Sequence, residues 1–334
     1  MNPFEKVINP TRRASPATYF RRMVKLMKSP TLRTVAVAAA ADNDILEIVS
    51  AARKMKILGG AILFGDKTKI INIAAEYNIN IKRCKIVDTH SDEESAASAV
   101  AAVREGRADL IMKGNLDTML VANAMIDKSN GVRDGKRLLS HISVMYRLSN
   151  GRMFIYTDTG MNIDPDIETK KHIILNAVDF EKNIGIEGPK VVLEAAHESN
   201  THMQSVKDAN ELNPWGRGQG IEMFGPMDIA TTVNKKIANK KEIVSPAGSN
   251  GDILVFHNID AANGAMKELT VINDMTGDPN MENFLMGGLM IGGKVLAVVS
   301  SRGDSYYSKI WSIILAIRAM DGATARQMVF GKNA

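Results

Sequence analysis

Short β-branched runs alternating with helical patterns, a length of 334 residues and an ordinary globular composition together predict an α/β protein of two domains with largely parallel sheet. Parallel strands need crossover helices, and the chain supplies them in turn from residue 33 onward. At roughly 150 residues per domain the length accommodates two such domains. An apolar share of 45% against 24% charged is enough for a sizeable core.

The elements follow in order. TVAVAA, AILFG, CKIVD and DLIMKG read as strands, and residues 42–57, 67–77, 91–106 and 116–128 read as helices. Asp42 and Ser91 are placed as N-caps, whose side chains accept from the unpaired N–H groups of a first turn. SNGVRDGKRLLSH is turn-rich, and SHISVMYRLSNGRMFIYTD reads as two strands joined at a tight SNG turn, so a domain boundary is expected close to Ser140. A second set of units follows: strands KVVLEAA, DILVF and KVLAVVSS, helices over 166–182 and 202–212, a loop NPWGRGQGIEMFGP, and helices from Met227 and Ala261.

Composition excludes several classes. The longest apolar or small run, residues 34–41, is far below the roughly 18 residues of a membrane span. MNPFEKVINPTRRASP has no apolar core of a signal peptide, so the chain is expected in the cytoplasm. The single Cys84 excludes an internal disulfide and a thiolate metal cage, and in what reads as mid-strand it is structural. The net charge of +5 is concentrated in residues 1–36, which hold eight basic side chains against Glu5 alone. Phe20, Val24, Leu26 and Met27 among those charges read as an amphipathic leading helix, and no nucleic-acid site is expected without aromatics on a platform.

Two motifs mislead. GLMIGGKV fits GxxxxGK, but Val295 stands where a P-loop needs a hydroxyl, and the lysine opens a strand, so Gly292 and Gly293 read as a turn into KVLAVVSS. HESNTH spaces His197 and His202 five apart, which on a helix diverges by about 140° and does not chelate as HExxH does. No GxGxxG occurs, and no metal site is expected.

The strongest chemical signal is KVLAVVSSRGDSYYSKIWSIILAI: a strand, a polar turn, then a helix whose N-terminus offers free N–H groups and a positive dipole end to an anion. Ser301, Ser305 and the guanidinium of Arg302 add donors suited to a phosphate or acyl phosphate. The plainer alternative is Ser301 or Asp304 as a cap and Arg302 as a solvated charge. MKGNLDT repeats the strand-to-helix form with Lys113, Gly114, Asn115 and Asp117 at its turn, and YTDTGMNIDP places Thr157, Asp158 and Asn162 after another strand. Three polar strand ends are expected to converge on one cleft.

In order along the chain, IMKGNLDT, LLSHIS, IYTDTGMNIDP, GPKVVLEAAHES, SVKDANEL, RGQGIEMFGP, GDILVFHNIDAAN with Lys267 following, and SSRGDSYYSKIWSIILA resemble the phosphate acetyltransferase and phosphate butyryltransferase family, nearer the butyryltransferase branch. The resemblance implies two α/β/α domains with a cleft between them, similar to the fold of the isocitrate and isopropylmalate dehydrogenases. It implies domains over 1–140 with 294–334, including a basic arm at 1–32, and over 141–293. The implied reaction is reversible transfer of a short-chain acyl group, butyryl or similar, between coenzyme A and inorganic phosphate in a ternary complex. An acetyl-specific enzyme and a noncatalytic acyl-CoA- or phosphate-binding protein are the alternatives. No tightly bound cofactor and a homodimer are implied. Ser301 and Arg302 would hold the phosphoryl group and counter the charge growing on the carbonyl oxygen. Ser305, Lys113, Gly114, Asn115, Thr157 and Asp158 would bind substrate. Where the acetyltransferase branch carries an aspartate six residues beyond the arginine, this chain has Ser308, and Asp304 is the substitute considered.

Overall fold

The computed structural model describes residues 20–21, 24–25, 29–135, 137–148, 151–243, 250–274, 284–301 and 303–330. The chain divides into two compact units. One is formed by Phe20–Leu139 and the chain from Met286 onward, and the other by the intervening Ser140–Leu285. Most of the basic arm lies outside the described residues. Its described end is helical at Phe20, Arg21, Val24 and Lys25, and the buried Phe20 ring packs 5.0 Å from that of Tyr307.

The first unit opens with β1 (Arg33–Ala38), α1 (Asn43–Lys54), β2 (Leu58–Gly65), α2 (Lys67–Glu76), β3 (Lys85–Asp88), α3 (Asp92–Arg104), β4 (Leu110–Lys113) and α4 (Thr118–Ile126). Each helix begins where a short polar side chain accepts from its first turn: Asp42 from Ile45 N, Asp66 from Lys69 N, Ser91 from Glu94 N and Asp117 from Met119 N. Asp117 therefore starts α4 two residues later than the apolar pattern predicts. Ile45, Leu46, Ile48, Val49 and Ala52 are the buried face of α1, each large side chain contributing about 1.5–3 kcal/mol.

The second unit holds β5 (Ser140–Arg147), β6 (Met153–Thr157), α5 (Ile167–Ile184), β7 (Lys190–Glu194), α6 (Gln204–Gly218), β8 (Glu222–Met227), α7 (Ile229–Val233), α8 (Lys235–Lys240), β9 (Ile253–Val255) and α9 (Ile259–Asp274). Its strands run β5-β6-β9-β7-β8. The hairpin β5–β6 is antiparallel, as expected, with Val144 opposite Ile155, and the other pairs are parallel.

The chain returns as β10 (Phe284–Ile291), β11 (Ala297–Val298) and α10 (Tyr306–Phe330). In the first unit the order is β3-β2-β1-β4-β11-β10, parallel throughout except for β10–β11. Ile310, Trp311 and Ile313–Ile317 are buried along α10. Its Ser308 and Ser312, one turn apart, accept from the backbone N–H of Met286 and Gly288 on β10.

Three local expectations differ from the fold. The segment NPWGRG is helix, because α6 runs through Pro214 to Gly218 and IEMFGP is strand β8. Gly216 permits this: a Cβ there would stand 1.8 Å from Met223 Sδ, so glycine lets the last turn of α6 lie on β8 without displacing the Met223 side chain. KVLAVVSS contributes only the two paired residues of β11, and the strand before it, β10, was not anticipated. The expected turn between them stands, with Gly292 at φ +92°. Cys84 precedes β3 instead of lying within a strand; Arg53 Nη1 is 3.1 Å from its Sγ, and burial outweighs that guanidinium to push the thiol up.

Candidate active site

β1, β4 and β11 are adjacent and parallel, so their carboxyl ends deliver three loops to one edge of the first unit. From β1 the chain runs to β2 and β3 on one side, whereas β4 and β11 lie on the other. Such a reversal opens a crevice beyond the strand ends. Gly114 N donates to Ala38 O at 2.8 Å and Asn115 N to Ala39 O at 3.1 Å, fastening the second loop to the first. A Cβ at Gly114 would stand 2.2 Å from Ala39 O and 2.4 Å from Ala38 O, so the approach requires glycine.

A cavity of about 160 Å³ occupies this edge. Lys113, Gly114 and Asn115 line it from β4, Ser300 and Ser301 from the end of β11, and Asp42, Asp44 and Ile45 from the start of α1. Lys309, in the first turn of α10, completes the wall. Lys113 is buried and its ammonium donates to Gly114 O at 3.4 Å. Ser300 is 8% exposed, and its buried Oγ has no hydrogen-bond partner among the described residues, the condition of a group that a ligand oxygen would satisfy.

Of the residues expected to act together, Lys113, Gly114, Asn115 and Ser301 share this cavity. Asp304 and Ser305 shape the loop beside it. Ser301 N donates to Asp304 Oδ2 at 2.7 Å and Asp304 N to Ser301 O at 3.2 Å, while Ser305 Oγ accepts from Ser308 N at 3.2 Å. Arg302 lies outside the described residues. Lys309 and Asp44 escaped the sequence reading, since a lysine in a helix and an aspartate in a first turn read as solvated charges. They form an ion pair, Lys309 Nζ to Asp44 Oδ2, at 3.2 Å. A second cavity of about 430 Å³ adjoins along Asn115, bounded by Gly65, Asp66, Asp88 and Thr89 at the ends of β2 and β3.

Thr157 and Asp158 belong to the second unit, at the end of β6. Both are buried and occupied: Thr157 Oγ1 donates to His141 O at 3.1 Å. Asp158 accepts from the N–H groups of His141, Gly160 and Met161 and from Asn162 Nδ2. Their polar atoms fold the TDTGMN turn. The same unit holds a charge cluster that the sequence did not disclose. Buried Lys170 donates to Asp208 and lies 3.2 Å from His257 Nδ1, and Gln204 Nε2 donates to Asp208 Oδ1 at 2.8 Å. Burial pushes the Asp208 carboxyl up, but the hydrogen bonds of Lys170 and Gln204 and the nearby positive charge hold it below its usual value. Glu194 nearby is pushed up to about 7 by burial, with the charge of Asp228 adding to it. The space they enclose is about 10 Å³, room for one water at most.

The first-unit cavity has two ammonium groups, an orphaned hydroxyl and a helix N-terminus beside it, while its two carboxylates are engaged, Asp42 by Ile45 N and Asp44 by Lys309, and these donors suit a small anion and an oxygen acquiring charge. Among the described residues no group of three or more His, Cys, Asp or Glu is placed to hold a metal ion. Nor, among the described residues, is any helix long and apolar enough to cross a membrane.

Comparison with known proteins bears on this geometry. The family model described as "Phosphate acetyl/butaryl transferase" matches residues 93–317. The phosphate butyryltransferase of Clostridium acetobutylicum is 32% identical over 301 residues, covering 89% of this chain and 96% of that protein. The crystal structure of a branched-chain phosphotransacylase from Enterococcus faecalis is similar, with a TM-score of 0.69 and 27% identity over 86% of this chain and 100% of that one. A putative 4-hydroxythreonine-4-phosphate dehydrogenase from Salmonella typhimurium is similar in fold alone, with a TM-score of 0.54 and 11% identity over 86% and 100% of the two chains.

Proposed function

Because the chain belongs to the phosphate acetyltransferase and phosphate butyryltransferase family, whose members are acyltransferases, we propose that it is a phosphotransacylase that passes a short-chain acyl group, butyryl or similar, between coenzyme A and inorganic phosphate. The observation that carries this reading is the cavity at the ends of β4 and β11, where Lys113, Lys309, Ser301 and the orphaned Ser300 Oγ face one small volume. A phosphate there meets the Lys113 ammonium and hydroxyl donors, and the first turn of α10 adds its dipole. In a ternary complex a phosphate oxygen attacks the thioester carbonyl directly, and no protein nucleophile is needed. By position in the family resemblance, Arg302 and Ser301 hold the phosphoryl group and the carbonyl oxygen as negative charge develops on it. The Asp304 carboxylate is engaged within its own loop, where it accepts from Ser301 N. We assign it, with Thr157 and Asp158, to holding loops in shape, and Ser305 to capping α10. Coenzyme A and phosphate are substrates in this reading, the protein works in the cytoplasm, and it assembles as a homodimer.

The test incubates pure protein with phosphate and acetyl-, butyryl- or isobutyryl-CoA while free thiol is followed, alongside Arg302→Ala. The expected result is phosphate-dependent release, faster with a four-carbon acyl group than with acetyl, and about 10²-fold or more slower in the variant. Folded protein that releases thiol from none of the three would overturn the reading in favour of a noncatalytic binding protein. Acetyl-CoA as the best substrate would replace the butyryl assignment with the acetyl one. Light scattering at a single-chain mass would remove the dimer.

A further inference from the structure

In the phosphotransacylase reading a thiolate leaves from, or attacks through, this cavity, and the residue that would serve it is not evident from the family pattern. The position six beyond Arg302 is Ser308, which is 2% exposed and whose Oγ is committed to Met286 N of β10 at 3.0 Å. The next residue, Lys309, does line the cavity. Its burial is unusual for its place in the fold. A cation in the first turn of a helix opposes the helix dipole, and a lysine elsewhere on a surface would extend its ammonium into water. Here the side chain is 7% exposed, whereas its partner Asp44 is 57% exposed. An ion pair with so open a partner is worth little to stability, and less than the desolvation of the ammonium. Stability therefore does not account for the placement. The cavity does.

Asp44 stands at the solvent rim, and a coenzyme A thiol enters from solvent at the end of a long arm. Of the two ammonium groups, that of Lys309 is the one held by a residue of the rim, while Lys113 lies on the β4 wall with its ammonium toward Gly114 O. Resting on the phosphotransacylase reading above, we propose that Lys309 is the catalytic residue that stabilises the coenzyme A sulfur as a thiolate, and that Asp44 is the residue that positions it.

The step balances without a carboxylate base. A phosphate oxygen bonds to the thioester carbon and the carbonyl electron pair moves to oxygen. As that pair returns, the C–S bond breaks and its electrons leave on sulfur, beside the Lys309 ammonium. The proton carried by the attacking hydrogen phosphate is released and completes the thiol once coenzyme A departs. In reverse, the ammonium holds the thiolate that attacks the acyl phosphate.

The experiment follows butyryl-CoA formation from butyryl phosphate and coenzyme A between pH 6 and 9.5, in wild type, Lys309→Met, Lys309→Arg and Asp44→Asn. In Lys309→Met, kcat/KM for coenzyme A should fall about 10²-fold. The rising limb of its pH profile should move up toward the range of a free thiol, about 8.5, with the KM for butyryl phosphate unchanged. Lys309→Arg should restore part of the rate and the wild-type limb, because the charge is kept. Asp44→Asn should show a smaller shift of the same sign, and it carries the test if Lys309→Met does not fold. An unmoved pH profile, or a loss confined to the KM for butyryl phosphate or phosphate, would overturn the proposal and make Lys309 an anion anchor. An inactive wild type removes both this and the phosphotransacylase reading; an active wild type with an indifferent Lys309→Met removes this one alone.

Discussion

At the scale of single residues, Gly114 sets the shape of the cavity. Its backbone runs so close to Ala38 O and Ala39 O that a methyl group would overlap both. Gly114→Ala should cost about 2–3 kcal/mol, read in urea unfolding, and should raise the KM for phosphate, since the loop that carries Lys113 and Asn115 must shift. Full stability in that variant would show that the loop relaxes freely. MKGN was legible in the sequence because a glycine between polar residues at a strand end announces a close approach. Lys309 was not, because its spacing from Arg302 says nothing about whether the side chain is buried. Thr157 and Asp158 were legible too, as a polar strand end, but not their partners: Thr157 Oγ1 donates to His141 O of β5, and Asp158 accepts from the backbone of the turn that follows.

At the scale of elements, α6 shows how packing overrides local signals. Val206, Ala209 and Leu212 mark its buried face, and Pro214 with two glycines then reads as a stop. The helix nevertheless continues, because Gly216 lies against Met223 of β8 and Asn213 Nδ2 donates to Gly225 O at 2.6 Å. Neither partner is visible in a window of neighbouring sequence. Pro214→Ala should therefore stabilise the protein, by about 1–3 kcal/mol, while Gly216→Ala should destabilise it. A rise in the urea midpoint for the first and a fall for the second would bear this out, and the reverse order would mean that the proline is the better fit. β10 escaped the sequence for a similar reason, since FLMGGLMI has two central glycines and few β-branched residues. What makes it a strand is its pairing with β11 and the serines of α10 that accept from its N–H groups.

For the whole molecule, the buried carboxyl groups set the response to pH. Glu194 is held at about 7 in the folded state, against roughly 4.3 unfolded. In acid both states are protonated. As pH rises past about 4.3 the unfolded chain ionises first, so stability falls until about pH 7 and levels off above it, a loss on the order of 3–4 kcal/mol. Glu181 adds to the same trend. It is fully buried, neither oxygen has a partner among the described residues, and burial, with the charge of Asp252, pushes it well above its usual value. Asp228 runs the other way: burial pushes it up, but Lys241 and Thr231 outweigh that and hold it at about 2. Its contribution is whole above about pH 4 and lost as pH falls toward 2. The thermal midpoint should therefore drop between pH 5 and 7.5, and Glu194→Gln should flatten that drop. An equal slope in the variant would mean that Glu194 titrates normally. The alternation of strands and helices that defines both units was readable from residue types alone, because strand runs and crossover helices have different periods. The buried charges were not, because nothing in a linear pattern distinguishes Glu181 from a surface glutamate.

The first unit is interrupted, and this gives its assembly a direction in time. A ribosome adding about 5–20 residues per second finishes β4 and then spends on the order of ten seconds on the intervening unit before Met286 appears. Throughout that interval the β4 edge that will receive β11 has no neighbour, an invitation to pair with another nascent chain. Its four-residue length limits the danger. Ser300 and Lys309 are translated later still, so the pocket cannot close around anything until β11 and the start of α10 have followed the second unit.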